Sequence, residues 1–182
     1  MAYVNQRDEG GKCSKIGENA ETVFSRLAKN KGYKVTPATR EENIHKHIDF
    51  FIENIKLSES LKIDVKARKK NKRKDSDFND DWLWLEFKNV QGKDGWLKGE
   101  ATHIAFEREN EFALVPRAEL LEWAKKKIAA NNGGRLTIKA KVSSASQAKY
   151  KLYTRWRRED LLTQVAYNDI IKEIENVLIW TK

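Results

Sequence analysis

The sequence is poor in cysteine and histidine and contains no long apolar run. It has one cysteine, Cys13, and three histidines among its 182 residues. One cysteine cannot form an internal disulfide, and zinc sites built from paired cysteines are excluded with it. No stretch approaches the roughly 20 consecutive apolar residues that a membrane span needs, and residues 1–15 contain no apolar signal segment. These absences predict a cytoplasmic protein with no membrane span.

Positive charge is in excess, since 36 Lys and Arg residues outnumber 27 Asp and Glu residues and give a net charge of +9. A surplus of this size favours a polyanionic partner, and nucleic acid is the commonest one. The basic residues concentrate in two segments, residues 66–74 and 149–158. Such runs are usually solvated loops, but next to a catalytic site they predict phosphate contacts. The predicted nucleic-acid-binding residues are Arg68, Lys69, Lys70, Lys72, Arg73, Lys74, Arg155 and Arg157.

Apolar spacing and the positions of Gly and Pro predict the order of the elements. Apolar residues at helical spacing predict a first helix over residues 15–31, which Gly32 ends. The predicted strands are 33–36, 48–52, 61–65, 82–88, 103–106, 112–115, 136–142 and 149–157, with further helices over 116–130 and 159–180. This order predicts an α/β fold with a central mixed β-sheet flanked by helices. We expect a flexible N-terminus (1–14), a core (15–130) and a C-terminal strand and helix extension (131–182) packed on the same domain.

The second strand of the hairpin predicted at residues 48–65 carries an acid and a lysine on one face. Strand side chains alternate, so Ile63 and Val65 are expected to point into a core. Asp64 and Lys66 then point together to the opposite side. A turn of this length can bring Asp49, on the partner strand, close to Asp64. Two adjacent carboxylates repel each other unless a cation lies between them, and Mg²⁺ prefers such oxygen ligands.

An acidic metal site beside a lysine suits phosphodiester hydrolysis. The metal lowers the pKa of a bound water and neutralises charge on the phosphate. Lys66 can orient the attacking water or stabilise the negative charge that develops. A carboxylate on the first helix can complete the metal environment or hold its water.

Three short motifs follow one another in a recognisable order. They are Gly17–Glu21 on the first helix, His47-Ile48-Asp49-Phe50, and Ile63-Asp64-Val65-Lys66. This arrangement resembles the PD-(D/E)xK nuclease superfamily, which includes many restriction enzymes and the archaeal Holliday-junction resolvases. The resemblance covers residues 17–66, under a third of the chain, and extends more loosely to about residue 115.

The resemblance implies a role for each motif residue. Asp49 and Asp64 would bind the metal, and Lys66 would be the catalytic lysine. Glu21 would be the first-helix glutamate, because it stands four residues after Gly17, and Glu18 is the fallback. The fold implied is a restriction-endonuclease-like core.

Two departures leave an alternative open. The residue before Asp49 is Ile48 and not proline. A second acid-x-lysine match, Glu86-Phe87-Lys88, lies on the next predicted strand. Glu86 and Lys88 could be the catalytic pair, with Asp64 as the earlier acid. We prefer Asp64 and Lys66 because Asp49 then lies on the adjacent strand, which leaves Glu86 as an accessory.

Aromatic residues and histidines have less specific interpretations. Most of the six Trp residues are expected in the core, although Trp82, Trp84 or Trp96 could stack on a base. His45 and His47 form a His-x-His pair that is more often a surface feature than a metal site.

These observations predict a Mg²⁺-dependent DNA endonuclease, with Mn²⁺ able to substitute and with RNA as an open alternative substrate. Its small size favours structure-selective or nonspecific cutting, in phage biology or in DNA repair and recombination. Cutting both strands usually needs two active sites, so a homodimer is expected. The alternative is a catalytically inactive nucleic-acid-binding module with a nuclease-like fold.

Overall fold

The computed structural model describes residues 12–69, 77–132, 142 and 144–182, with side chains from residue 15 onwards. Its first element is helix α1, Lys12–Asn30. The helix ends at Gly32, whose φ of +87° is a left-handed conformation that glycine adopts without a steric penalty. The predicted first helix is therefore confirmed, but residues 12–14 belong to it and not to the N-terminal lead-in. Residues 1–11 of that lead-in lie outside the described part.

Within the described residues, eight strands form two sheets. In chain order the strands are β1 (Lys34–Pro37), β2 (Phe50–Asn54), β3 (Glu59–Lys66), β4 (Trp82–Lys88), β5 (His103–Glu107), β6 (Glu111–Pro116), β7 (Leu161–Ala166) and β8 (Leu178–Thr181). The central sheet has six of them in the order β1-β2-β3-β5-β6-β8, and β4 and β7 form a two-stranded sheet. Strands β3 and β5 run parallel, whereas the other pairs are antiparallel. The chain is therefore α/β with a mixed central sheet flanked by helices, as predicted.

The central sheet separates two hydrophobic cores. Alternate residues of β6 divide between them: Phe112 and Leu114 pack toward α1, whereas Ala113 and Val115 pack on the opposite face. On the α1 side the fully buried Phe24 lies among aromatic rings, with centroids 5.4–6.1 Å away. Burying a side chain of this size contributes about 2–3 kcal/mol. These contacts hold α1, and with it the first-helix glutamates, against the sheet.

The opposite face of the central sheet is covered by helix α2 (Arg117–Asn131), helix α3 (Tyr167–Glu173) and the β4–β7 sheet. Strand β4 has the bounds that the sequence predicts. Its Leu83, Leu85 and Phe87 are buried in this second core. Strand β4 therefore stands beside the central sheet as a separate layer, and it does not pair with β3.

Two predictions for the C-terminal region are wrong. The strand predicted over 149–157 is replaced by isolated bridges, Lys149 to Gln164 and Tyr153 to Leu162. Left-handed φ values of 53° at Tyr150 and 54° at Arg157 interrupt the extended backbone.

The helix predicted over 159–180 is instead β7, the seven-residue helix α3 and β8. Strand β7 pairs with β4 and strand β8 pairs with β6, partners more than 60 residues away that local spacing does not reveal. The region after residue 131 thus supplies strands to both sheets. The strand predicted over 136–142 lies outside the described residues except for Val142.

No helix in the described ranges is long and apolar enough to cross a membrane.

Candidate active site

The β2–β3 hairpin brings two carboxylates together. Asp49 directly precedes β2, and its backbone N–H donates to the Ile63 carbonyl at 2.8 Å. Its Oδ2 accepts a hydrogen bond from the Val65 N–H at 2.7 Å, which fixes the carboxylate against β3. Ile63 and Val65 are buried on the α1 side, so Asp64 points to the opposite face. Asp49 and Asp64 are close enough to interact by charge.

Asp64 is the most deeply buried acid of this group, with 2% of its surface exposed. Its Oδ1 accepts a hydrogen bond from the Lys66 Nζ at 2.5 Å. Its Oδ2 is buried and has no hydrogen-bond partner among the described residues. Burial raises the pKa of Asp64 to about 7; the Lys66 charge opposes this rise and the Asp49 charge adds to it. One oxygen of Asp64 therefore has no hydrogen-bond partner among the described residues, and burial already makes ionisation of this carboxyl unfavourable.

Lys66 is held as an ammonium. Burial lowers the pKa of Lys66, but the charges of Asp64 and Asp49 outweigh it, so the net pKa is raised. Its Nζ lies 5.1 Å from the centre of the Trp96 ring, within the range of a cation–π contact. Trp96 is buried in a loop after β4. The lysine is thus positioned by one acid and one aromatic ring.

Glu21 on α1 shares this electrostatic environment. Its side chain is half-buried. Burial raises the pKa of Glu21 to about 7, the Asp49 charge adds to the rise, and Lys66 opposes it. Glu18 is exposed one turn earlier and makes only a smaller contribution to the same rise. Glu21 therefore interacts by charge with Asp49 and Lys66, and Glu18 interacts by charge with Glu21.

The alternative acid, Glu86, also faces Lys66, although it comes from the β4–β7 sheet. Burial raises the pKa of Glu86, whereas Lys66, Arg155 and a hydrogen bond from the Trp96 backbone lower it. Lys88 lies beyond an irregularity in the β4–β7 register, and its charge acts on Asp94. Glu86 thus borders the cluster from a second layer, in the accessory position.

Two further residues border the cluster. Asn43 donates a hydrogen bond from Nδ2 to the Asp49 Oδ1 at 2.5 Å. It was not predicted, because it lies in a single π-helical turn, Glu42–Lys46, that has no sequence signature. His47 has a left-handed φ of 54°, and burial together with the Lys66 charge lowers its pKa. The other member of the His-x-His pair, His45, is exposed.

The predicted nucleic-acid contacts are placed only in part. Arg68 is held by Asp80 at 2.8 and 3.1 Å, and Arg155 forms an ion pair with Asp160. Arg157 is exposed beside Trp156, and Lys69 forms a backbone bridge with Asn79. The remaining four predicted contacts lie outside the described residues: Lys70, Lys72, Arg73 and Lys74.

The carboxylates of the cluster form a partial donor set for a divalent cation. Within the described ranges no group of three or more His, Cys, Asp or Glu side chains is close enough to hold a metal ion. Two carboxylates do meet at Asp49 and Asp64, and Glu21 interacts with Asp49 through charge. The Asp64 Oδ2 has no partner among the described residues, and burial raises the pKa values of Asp64 and Glu21, so the charged forms of both carboxylates are disfavoured unless a cation compensates them. Carboxylate oxygens of this kind fit a hard ion such as Mg²⁺.

The chain matches no family model, no curated protein and no solved structure. The geometry of the cluster is therefore the basis for assigning a function.

Proposed function

We propose that the protein is a Mg²⁺-dependent DNA endonuclease of the PD-(D/E)xK type, with Mn²⁺ as a substitute metal. The observation that carries the proposal is the pair formed by Asp64 and Lys66. A buried carboxylate, one of whose oxygens has no partner among the described residues, lies 2.5 Å from an ammonium, and Asp49 approaches it from the start of the adjacent strand. Such a cluster binds a cation and a phosphate at neighbouring positions, which is the requirement of phosphodiester hydrolysis.

The order of the elements supports the same proposal. The candidate residues lie on a first helix and on an antiparallel hairpin, β2–β3, whose second strand is followed in the sheet by the parallel strand β5. The catalytic acid and lysine lie at the C-terminal end of β3. We propose on this basis that the central sheet is a restriction-endonuclease-like core.

Each residue of the cluster has a role in the proposed reaction. Asp49 and Asp64 would hold the metal, which lowers the pKa of a bound water and neutralises phosphate charge. The Lys66 Nζ donates hydrogen bonds toward the reacting phosphate and stabilises the negative charge that develops on its oxygens. Glu21, whose raised pKa of about 7 suits proton transfer near neutral pH, would accept at its carboxylate the proton that the attacking water gives up as it bonds to phosphorus. Trp96 covers one side of Lys66 and excludes water there.

One observation favours a second candidate, a nuclease-like module that binds nucleic acid without cutting it. The described residues include no three-member group of metal-ligating side chains. Such a module would bind DNA with strong salt dependence and without need of metal.

The test is incubation of the purified protein with supercoiled plasmid, single-stranded DNA and a four-way junction, in Mg²⁺, in Mn²⁺ and in EDTA. We expect cutting with either metal and none in EDTA. DNA retention without cutting under all conditions would contradict the proposed activity and establish the binding module. A parallel incubation with RNA decides between the two nucleic acids.

Glu86 is expected to support the site without being essential. Replacing it with glutamine keeps the hydrogen-bonding shape and removes a charge that faces Lys66. We expect the Glu86→Gln variant to lose about 3- to 10-fold in cleavage rate, less than general acid–base catalysis contributes. Cleavage rates with saturating Mg²⁺ measure this, and Lys88→Met is the matched control at the other end of the motif. A collapse of activity in both variants would instead make Glu86 and Lys88 the catalytic pair.

We propose a homodimer for cutting two strands, because each chain supplies one cluster. We also propose action in the cytoplasm, in keeping with the single cysteine of the chain.

A further inference from the structure

A cleft of about 600 Å³ opens beside the Asp64–Lys66 pair. It lies between the end of β3 and the β4–β7 sheet, and we call it the aromatic cleft. Its lining includes Lys66, Trp84, Glu86, Trp96, Tyr153 and Arg155. A volume of this size is within the range of pockets that bind small molecules. The cleft shares Lys66 and Glu86 with the candidate active site, so an occupant of the cleft would lie next to that site.

The outer face of β4 is unusually aromatic. Alternation along the strand places Leu83 and Leu85 in the core, and directs Trp82, Trp84 and Glu86 to the cleft. Trp84 is only half-buried, and its ring centre lies 5.9 Å from that of Tyr153 at an interplanar angle of 44°. A strand face outside the core is ordinarily polar. Trp82 and Trp84 belong to neither hydrophobic core, although the Trp82 ring contacts Tyr150.

The cleft is bordered by positive charge. Lys66, Arg68 and Lys69, at the start of the first basic segment, are among the residues that line it. Arg155 lines the cleft with its side chain 47% exposed, and the Lys149 Nζ lies 3.9 Å from the Trp82 ring centre. Aromatic faces interleaved with basic side chains are the features that bind unpaired nucleotides.

We propose that the aromatic cleft binds one unpaired nucleobase of the DNA substrate, stacked against Trp84 and Tyr153. The phosphate attached to that nucleotide then lies at the Lys66 end, beside Asp64. The inference depends on the proposed nuclease function and names its substrate class: single-stranded DNA, or duplex DNA with unpaired nucleotides at ends, flaps or junctions. A fully paired duplex is a poorer substrate, because a base must leave the stack before it enters the cleft.

Binding in EDTA tests the cleft independently of cleavage. The probe is a short single-stranded DNA carrying one 2-aminopurine, whose fluorescence is quenched on stacking, and its affinity is measured by anisotropy. We expect Trp84→Leu and Tyr153→Leu each to weaken binding about 5- to 100-fold and to reduce the quench, the loss expected for one stacking contact. Trp84→Phe and Tyr153→Phe keep a ring and should remain close to wild type. Blunt duplex binding should change by less than about twofold.

Trp156 provides the competing site. It is 83% exposed and adjoins Arg155, but it lies outside the cleft lining. If Trp156→Leu loses single-strand affinity while both leucine variants of the cleft retain it, the inference is overturned. Two separate cleft residues keep the test valid if one leucine variant fails to fold by circular dichroism.

The two proposals fail in distinguishable ways. A wild type that cuts no DNA, combined with loss of single-strand binding in the cleft variants, overturns the nuclease but supports the cleft as a base-binding site. A wild type that cuts DNA, combined with cleft variants that bind single strands normally, overturns the cleft alone.

Discussion

Replacing Lys66 with methionine is expected to lower the rate of metal-dependent DNA cleavage by about a thousandfold. The Nζ is the cation that lies closest to the buried Asp64 carboxylate, at 2.5 Å, and it is oriented by Trp96. Removing one preorganised donor from a site of this kind typically costs about 10²–10³ in rate, and loss of a positioned proton-transfer partner costs about 10²–10⁴. Methionine retains the length and apolar stem of lysine, so packing beside Trp96 is preserved.

The matched control is Lys62→Met. Lys62 lies on the same strand, β3, and on the same face as Lys66, four residues earlier, and its side chain is exposed. We expect this variant to cut at the wild-type rate. Asp64→Asn should lower the cleavage rate at least as much as Lys66→Met does, because it removes the charge that would hold the metal. Near-wild-type cleavage in Lys66→Met, with cleavage lost in Lys62→Met, would contradict the site assignment.

Affinity for DNA separates a catalytic effect from a binding effect. In Lys66→Met we expect DNA affinity in EDTA to fall by less than about tenfold, since a single phosphate-neutralising charge among many is removed. A parallel fall in affinity and rate would indicate that Lys66 acts in binding only. The slope of affinity against salt concentration, measured for both variants and the wild type, gives the number of phosphates that each protein neutralises.

The parts of the site that follow from local strand chemistry could be predicted from the sequence. Alternation places Asp64 and Lys66 on one face and Ile63 and Val65 on the other, because the period of a strand is two wherever it pairs. A short polar connection between two apolar runs indicated the hairpin that brings Asp49 to Asp64. Helical spacing of small and aromatic residues likewise indicated α1, which carries Glu21.

The parts that depend on distant pairing could not be predicted. Strand β4 was predicted with its bounds, but nothing in residues 82–88 indicates that its partner is β7 and not β3. Long-range pairing also explains why β7 and β8 lie where a C-terminal helix was predicted. The hydrogen bonds and burial that these strands gain from distant partners outweigh the weak helical spacing of their apolar residues. Glu86 consequently approaches Lys66 from a second layer. The aromatic cleft exists only because these two layers meet, so its tryptophans were expected mostly in the core.

The stability of the metal-free protein is expected to fall as the pH rises toward 7, because of Asp64. The pKa of Asp64 is raised from 3.8 to about 7, chiefly by burial. Between these values the folded protein binds a proton that the unfolded chain has already released. Stability contributed by the neutral carboxyl is therefore present at low pH and declines as pH rises toward 7. Above pH 7 the charged form is adopted at the expense of stability, as expected where a cation compensates it.

Asp64→Asn should remove this decline. The variant cannot ionise at this position, so its free energy of unfolding relative to wild type should increase by about 2–4 kcal/mol between pH 4 and pH 8. His47 and His103, whose pKa values are lowered chiefly by burial, give an opposite slope below pH 6.5, but this contribution is largely common to both proteins and cancels in the difference. Urea unfolding in EDTA at several pH values measures the difference in unfolding free energy between Asp64→Asn and the wild type. Glu53→Gln, at an exposed residue, is the control and should show no pH-dependent difference from the wild type.

Added Mg²⁺ should act in the same pH window. Above pH 7 the Asp64 carboxylate is ionised and available to a cation, so saturating Mg²⁺ should stabilise the wild type, whereas at pH 5 the protonated Asp64 should make the metal nearly ineffective. In Asp64→Asn the Mg²⁺ effect should disappear at both pH values. Equal stabilisation of wild type and variant would mean that the ion binds elsewhere. A pH-independent difference in unfolding free energy would mean that the Asp64 carboxylate is already charged and compensated by Lys66 alone, and the case for a metal at this point of the sheet would fail.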